Sequence, residues 1–232
     1  MRAGLTKPQD WEGQTRVQIT SFLPAILGCC CWAGILGAQS AGTDERLERQ
    51  AGREFDSAEY GAAARDLKAI TERNPANISA QILLGFALFR QEKYADSVPA
   101  YEKALALEEA GRPLSTGQRR IVTDQLAMAY GISGHLGKAR ELLDEAIMRD
   151  PEYPLNYYNL ACTFAEQGSK AKMLANLDLA FQRKSNVLKG EQMPDPVTDQ
   201  SFQRYVRDPD FISLMRKLGL RPVGTPATGA AK

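Results

Sequence analysis

Side chains able to do acid–base, nucleophilic or metal chemistry are few in this sequence and stand far apart. The 232-residue chain has one histidine, His135, within the segment GISGHLGKA. An imidazole that binds a metal or acts as a base needs a second ligand or an orienting acid, so we interpret His135 as a solvated turn residue. Cys162 stands in LACTFA with no base that the sequence would place beside it. We therefore interpret Cys162 as a small packing residue and not as a nucleophile.

Acidic residues cluster at two places where the sequence also predicts helix starts. Glu54, Asp56 and Glu59 form one cluster, and Asp208 and Asp210 form the other. Carboxylates at these positions accept hydrogen bonds from the first N–H groups of a helix, so capping explains them without catalysis. The sequence also has no glycine-rich loop of the kind that cradles phosphates. We expect no catalytic residue, no cofactor and no metal, and hence a protein that is not an enzyme.

The charge balance argues against a nucleic-acid partner. Lysine and arginine total 29 and aspartate and glutamate total 28, which leaves a formal net charge of +1. A protein that binds nucleic acid through its phosphates needs a positive field, and this composition supplies none. We expect a protein or peptide partner instead.

The N-terminus has the layout of an export signal. Residues 1–16 are polar with a basic bias, residues 17–38 carry no charge, and small residues follow up to Ser40. We expect residues 1–40 to be a cleaved secretory signal peptide, with the mature protein in the periplasm or at the cell envelope. Two alternatives stay open: an uncleaved inner-membrane anchor that tethers the protein through residues 17–38, and lipidation at Cys29.

A helical repeat of about 34 residues organises the rest of the chain. Pro75 and Pro151 each follow a pair of amphipathic segments and stop the second of them, because proline cannot donate the next helical hydrogen bond. In the clearest unit, large and small residues recur at offsets that suit two packed helices: Leu126, Tyr130, Gly134, Ala139, Ala146 and Pro151. One such hairpin cannot bury its apolar face alone and must stack on the next.

These offsets resemble tetratricopeptide (TPR) repeats. Four units are predicted at about 44–77, 78–111, 120–153 and 154–187, within a repeat domain of residues 41–220. The fold class predicted from them is an all-α, right-handed α-solenoid of helix-turn-helix repeats. Small residues such as Gly85 and Ala161 are expected to let the two helices of a hairpin approach closely, while Leu84 and Leu88 fill the space between them.

Three segments interrupt or close the repeats. Residues 112–119 are predicted to be a surface loop between the second and third units, because Pro113 and Gly117 mark it. Residues 195–220 are predicted to cap the array, with Asp208 capping a helix that starts at Pro209 and Gly219 ending it. Residues 221–232 are predicted to be a disordered tail.

The resemblance implies a partner-binding groove on the first helix of each hairpin. Those helices are predicted at about 79–90, 121–132 and 155–167. The predicted groove residues lie one turn apart on the side away from the packing positions: Ile82, Phe86, Phe89, Arg90, Asp124, Gln125, Met128, Tyr158 and Asn159. Apolar and aromatic side chains of this kind suit an extended or helical peptide. The alternative is that Phe86, Phe89 and Met128 pack under a neighbouring helix or under the C-terminal segment.

One known use of such grooves does not fit the sequence. The resemblance implies a lysine, asparagine and arginine where a TPR protein clamps the C-terminal carboxylate of a chaperone. The residues at corresponding places here are Ile82, Leu83, Asp124 and Tyr158. We expect a non-enzymatic scaffold, of a Gram-negative-like bacterium, that binds a protein segment in its concave groove. The alternative is a self-associating or membrane-anchored structural repeat protein.

Overall fold

The structure is a computed structural model that describes residues 46–47, 49–55 and 57–222. Every regular element among these residues is helical, so the predicted all-α, TPR-like class is confirmed. Two compact units divide between His135 and Leu136, and each is described by itself. The predicted signal or anchor and the tail beyond residue 222 lie outside the described residues.

The described residues of the first unit form five helices, each packed on the next along the chain. α2 packs on α3, α3 on α4 and α4 on α5, and α3 also touches α5. Their bounds are residues 46–47 and 49–55 for α1, Tyr60–Arg73 for α2, Ile78–Arg90 for α3, Tyr94–Glu109 for α4 and Thr116–Ile132 for α5. One core cluster joins α1, α2 and α3 through Ala51, Phe55, Leu67 and Ile70, with Leu84 and Leu88 packed against it.

The second unit contains three longer helices and a C-terminal segment that folds over them. α7 packs on α6 and α8, a 3₁₀ turn in the C-terminal segment packs on α7, and the last helix packs on α8. The bounds are Leu136–Arg149 for α6, Pro154–Glu166 for α7 and Lys170–Gln182 for α8. Two 3₁₀ turns at Lys184–Asn186 and Gln200–Tyr205 then precede α9 at Pro209–Lys217.

Local sequence signals set several of the helix ends. The Asn77 side chain accepts a hydrogen bond from the Ala80 N–H and so starts α3. Asp208 accepts from the N–H groups of Asp210 and Phe211, with Pro209 in the first helical position, so the predicted start of α9 is confirmed. Gly219 follows α9 with φ +76°, a left-handed conformation that glycine adopts without strain.

The predicted loop at residues 112–119 is wrong in its second half. α5 begins at Thr116, because Ser115 and Gln118 form a reciprocal capping box. Arg119, in the first turn of α5, also forms an ion pair with Glu108 of α4, with 2.8 Å between Arg119 Nε and Glu108 Oε1. The eight extra residues are therefore divided between a short connection and a longer α5.

α3 and α4 approach each other closely at Gly85. A Cβ atom on Gly85 would lie 2.7 Å from Cε1 of Tyr101, whose ring is fully buried on α4. Real Cβ atoms do not approach that closely, so only glycine permits this contact between α3 and α4. The role predicted for Gly85 is confirmed.

We predict that Gly85→Ala lowers the free energy of unfolding by about 1–3 kcal/mol, because the buried Tyr101 ring has to shift. The matched control is Gly131→Ala within α5, where an added Cβ meets nothing within 4 Å. That change is expected to raise the free energy by up to about 1 kcal/mol, since alanine favours a helix over glycine. Denaturant unfolding followed by circular dichroism measures both, and equal effects of the two changes would contradict the close contact.

Candidate peptide-binding surface

The nine predicted groove residues divide between the two units. Seven lie on α3 and α5 of the first unit, whereas Tyr158 and Asn159 lie on α7 of the second. Residues on α3 and α5 belong to helices that touch each other. A groove common to all nine residues therefore stays a prediction.

On α3 the predicted residues pack against neighbouring aromatic rings. Phe89 is buried and meets the Tyr94 ring edge-on, with 4.9 Å between ring centroids. Phe86 is half-buried, and its ring centroid lies 5.7 Å from that of Phe55 on α1. Phe89 and one side of Phe86 thus contact rings on other helices, as in the alternative in which they pack under a neighbouring helix.

Ile82 and Arg90 complete the predicted set on α3. Ile82 is buried. Arg90 is half-buried, and its guanidinium carbon lies 4.9 Å from the centroid of the Tyr60 ring at the start of α2. A guanidinium over an aromatic face gains a cation–π attraction. Arg90 thus ties α3 to the preceding hairpin.

On α5 the polar members are buried and the apolar member is not. Asp124 and Gln125 are 9% and 3% exposed, whereas Met128 is half-buried. The nearby Tyr101 side chain is fully buried, and its hydroxyl has no hydrogen-bond partner among the described residues. Burial, with a further effect of the Asp124 charge, raises the pKa of Tyr101 well above its usual value.

On α7 the predicted groove residue Tyr158 lies under the C-terminal segment. Its side chain is 2% exposed, and its hydroxyl donates to Oδ2 of Asp199 at 2.8 Å. The Phe202 ring meets the Tyr158 ring edge-on at 5.7 Å. Burial and the Asp199 carboxylate raise the pKa of Tyr158 well above its usual value. Asn159 beside it is half-buried.

Two positions of the predicted repeats differ in how far their side chains are buried. The fifth residues of the second, third and fourth units are Ile82, Asp124 and Tyr158, and all three are buried. The ninth residues, one helical turn further on, are Phe86, Met128 and Cys162, and all three are half-buried. Among the predicted groove residues on α3 and α5, Phe86 and Met128 at the ninth positions are therefore the partly exposed apolar ones.

Sequence reasoning missed three residues that contact α7. Asp199, Phe202 and Tyr205 of the C-terminal segment lie against the helix, and the Tyr205 hydroxyl donates to the Ala165 carbonyl at 3.4 Å. Their spacing of three residues was a usable signal, because a 3₁₀ turn has about three residues per turn and places such residues on one face.

His135 and Cys162, the two residues that the sequence singled out for possible chemistry, lie in different units of the structure. His135 is exposed, with its ring edge-on to Tyr130 at 6.4 Å between centroids, and Cys162 is half-buried. Within the described residues, no three His, Cys, Asp or Glu side chains are grouped so as to hold a metal ion. In that same part of the chain, no helix combines the length and apolarity needed to cross a membrane; the predicted span at residues 17–38 lies outside it.

The acidic cluster at the first hairpin is not a set of helix caps. Glu59 occupies the N-cap position of α2, but its side chain makes no capping hydrogen bond. Glu54 accepts from the Gln50 side chain through one oxygen, and Asp56 lies outside the described residues. The other Glu54 oxygen and Oδ2 of Asp66 are both buried without a hydrogen-bond partner among the described residues. Burial and the Glu54 charge raise the pKa of Asp66.

Several solved structures share this fold. A MamA protein matches with a TM-score of 0.59 at 15% identity, over 77% of this chain and 91% of its own. MamA residues 41 to the end from Desulfovibrio magneticus RS-1 match with 0.58 at 15% identity, over 76% and 93%. YrrB, described as a TPR protein with an unusual peptide-binding site, matches with 0.52 at 12% identity, over 74% and 82%. No protein-family model and no curated protein matches the chain.

We predict that the Asp66 carboxyl makes stability fall as pH rises. Its pKa in the folded state lies above the ordinary value of 3.8, so the folded state binds the proton more tightly than the unfolded chain. The resulting stabilisation is complete below pH 3.8 and is lost as pH rises through the raised value.

Asp66→Asn removes this dependence. The free energy of unfolding of the variant minus that of the wild type is expected to grow with pH through the acid range and then level off. Denaturant unfolding at a series of pH values measures it. Glu72→Gln, an exposed carboxyl on the same helix, is the control and should show no such trend. A flat difference for Asp66→Asn would contradict the raised pKa.

Proposed function

We propose that this protein is a non-enzymatic scaffold that binds a segment of another protein on the first helices of its repeats. The fold supports this proposal, because helical hairpins that pack on one another present helix faces on which a segment of another protein can lie. The likeness to YrrB, a TPR protein with an unusual peptide-binding site, points the same way.

The observation that carries the proposal is the pair of ninth positions in the first unit. Phe86 and Met128 are large apolar residues at equivalent places on two helices that touch, and both are half-buried. Folding leaves part of their apolar surface open to water, and burying that surface under a partner is favourable. Methionine also adapts its shape to different partners.

The chemistry of the surface favours an internal segment of the partner over a free C-terminus. The clamp for a free C-terminal carboxylate that the resemblance implies uses cationic or amide donors at the fifth positions. Ile82 supplies none, and Asp124 carries the opposite charge. A segment with apolar side chains at helical or extended spacing, which meets Phe86 and Met128, suits the surface better.

The proposed location is the periplasm or the cell envelope. It is supported by the sequence layout of residues 1–40, in which a basic segment, an uncharged segment of residues 17–38 and small residues follow one another. A cleaved signal releases the scaffold, whereas an uncleaved one tethers it to the inner membrane.

The test of the binding surface compares two methionines. Met128→Glu places a charge on the proposed surface, while Met148→Glu makes the same chemical change on α6 at a side chain that is 76% exposed. Each full-length variant is crosslinked in envelope fractions, and the captured proteins are quantified against those captured by the wild type.

Met128→Glu is expected to reduce capture of a specific partner by about tenfold or more, as changes at interface centres do. Met148→Glu is expected to leave capture unchanged, and circular dichroism checks that both variants fold. Equal capture by both variants would contradict the proposed surface. Capture of the chain itself, with a dimer or larger species in light scattering, would favour the self-associating alternative.

A further inference from the structure

The C-terminal segment contacts α7 through three side chains spaced three residues apart. Asp199, Phe202 and Tyr205 belong to the 3₁₀ turn at Gln200–Tyr205 or to its N-cap. Because a 3₁₀ turn advances about three residues per turn, these side chains share one face, and that face meets α7. The contact resembles a short peptide docked on a helix more than a packed helical hairpin.

The Asp199 carboxylate is held in a fixed orientation. Its Oδ1 accepts a hydrogen bond at 2.9 Å from the N–H of Ser201. This bond caps the N-terminus of the 3₁₀ turn. Its Oδ2 is then directed to the hydroxyl of Tyr158, at 2.8 Å. A hydrogen bond from a buried hydroxyl to a charged acceptor is stronger than a neutral one and depends on direction. Tyr158 is thus a receptor for a carboxylate.

The two aromatic residues that follow complete the contact. Phe202 is fully buried, and its ring lies 5.7 Å from the ring of Tyr158 and 6.1 Å from that of Phe211. Tyr205 is 9% exposed and donates to the backbone carbonyl of Ala165 near the C-terminal end of α7. Buried aromatic anchors of this kind dominate the energy of peptide recognition.

We propose that the face of α7 around Tyr158 is a peptide-binding surface. Its ligand is a segment with a carboxylate, an aromatic residue three positions later and a second aromatic residue three positions after that. Residues 199–205 are its intramolecular occupant and close this face to external segments. The inference rests on the proposed function, since it assigns ligand chemistry and regulation to one of the first helices of the scaffold.

The tether explains why the occupied state dominates. Residues 187–199, between the two 3₁₀ turns, contain no regular helix and connect the occupant to the rest of the unit. The Tyr153 hydroxyl donates to Oε2 of Glu191 at 3.0 Å, which anchors this connection beside the start of α7. A short connection of this kind gives a tethered ligand an effective concentration of at least the millimolar range. A free segment with the same contacts must therefore exceed this concentration, or meet a weakened occupant, before it binds.

The test uses a fluorescent peptide of residues 196–207 and three forms of the full-length protein. These are the wild type, Phe202→Ala and Phe202→Ala with Tyr158→Phe. Phe202→Ala weakens the occupant and leaves the receptor side chains of α7 intact, so it is expected to bind the peptide at least tenfold more tightly than the wild type. Fluorescence anisotropy measures the affinities, and circular dichroism checks folding.

Changes in the protein and in the peptide distinguish specific binding of the peptide from non-specific binding to exposed apolar surface. Adding Tyr158→Phe to the receptor is expected to weaken binding roughly tenfold, because the hydroxyl that meets the carboxylate is gone. A peptide with Asp199→Asn should weaken by a similar factor, and one with Phe202→Ala should not bind. If Phe202→Ala does not fold, Asp199→Asn in the protein loosens the occupant more mildly and replaces it in the same comparison.

The proposal is overturned if a folded variant with a weakened occupant binds the peptide no better than the wild type does. It is also overturned if the peptide changes have no effect on affinity. The C-terminal segment would then be a structural cap only. Neither result contradicts the proposed scaffold function. Capture of a partner through Met128 is measured on a protein in which residues 199–205 are unchanged.

Discussion

The rest of the structure depends on one constraint, which is that the described helices bury their apolar sides against neighbouring elements of the chain. Helices of 13 to 17 residues, such as α3 and α5, are marginal in water on their own. Their stability comes from close packing against neighbours along the chain. The contact of Gly85 with the Tyr101 ring shows how tight this packing is, because a single methyl group in place of hydrogen has no room.

The same constraint explains the C-terminal segment. After α8 no full hairpin follows to cover α7 and α8, so a 3₁₀ turn and the short α9 cover them. Phe202, Phe211 and Met215 are all buried there. The ion pairs of Lys170 with Asp208 and of Lys217 with Asp178 involve partly exposed side chains, and such pairs contribute little to stability. The aromatic contacts therefore contribute most to this covering, and they also bury the predicted groove residue Tyr158.

Burial on the first helices differs between positions that lie on the same side. Residues four apart are separated by only about 40° around the helix axis, so the difference depends on which neighbouring elements reach each turn. The fifth positions are buried, whereas Phe86 and Met128 at the ninth positions are half-buried. The residues available to a partner on these helices are those that the neighbouring elements cover only in part.

Signals that act within a few residues were readable from the sequence. The cap of α9 by Asp208 and Pro209, the close contact at Gly85 and the helical class all depend on local hydrogen bonding, on the size of a side chain or on periodicity. The start of α5 was misplaced although its signal, the pair Ser115 and Gln118, is also local. Pro113 and Gly117 favoured a loop over residues 112–119, whereas the capping box of Ser115 and Gln118 explains why α5 begins at Thr116.

What only the tertiary structure decided is which neighbour covers each apolar or aromatic residue. Phe89 and Tyr158 both fit a partner-facing position by their spacing, yet Phe89 packs on Tyr94 and Tyr158 pairs with Asp199, 41 residues away. The period of a helix fixes the angle at which a side chain leaves the axis. It carries no information about which distant segment arrives on that side, because that depends on the packing of elements far apart in the chain.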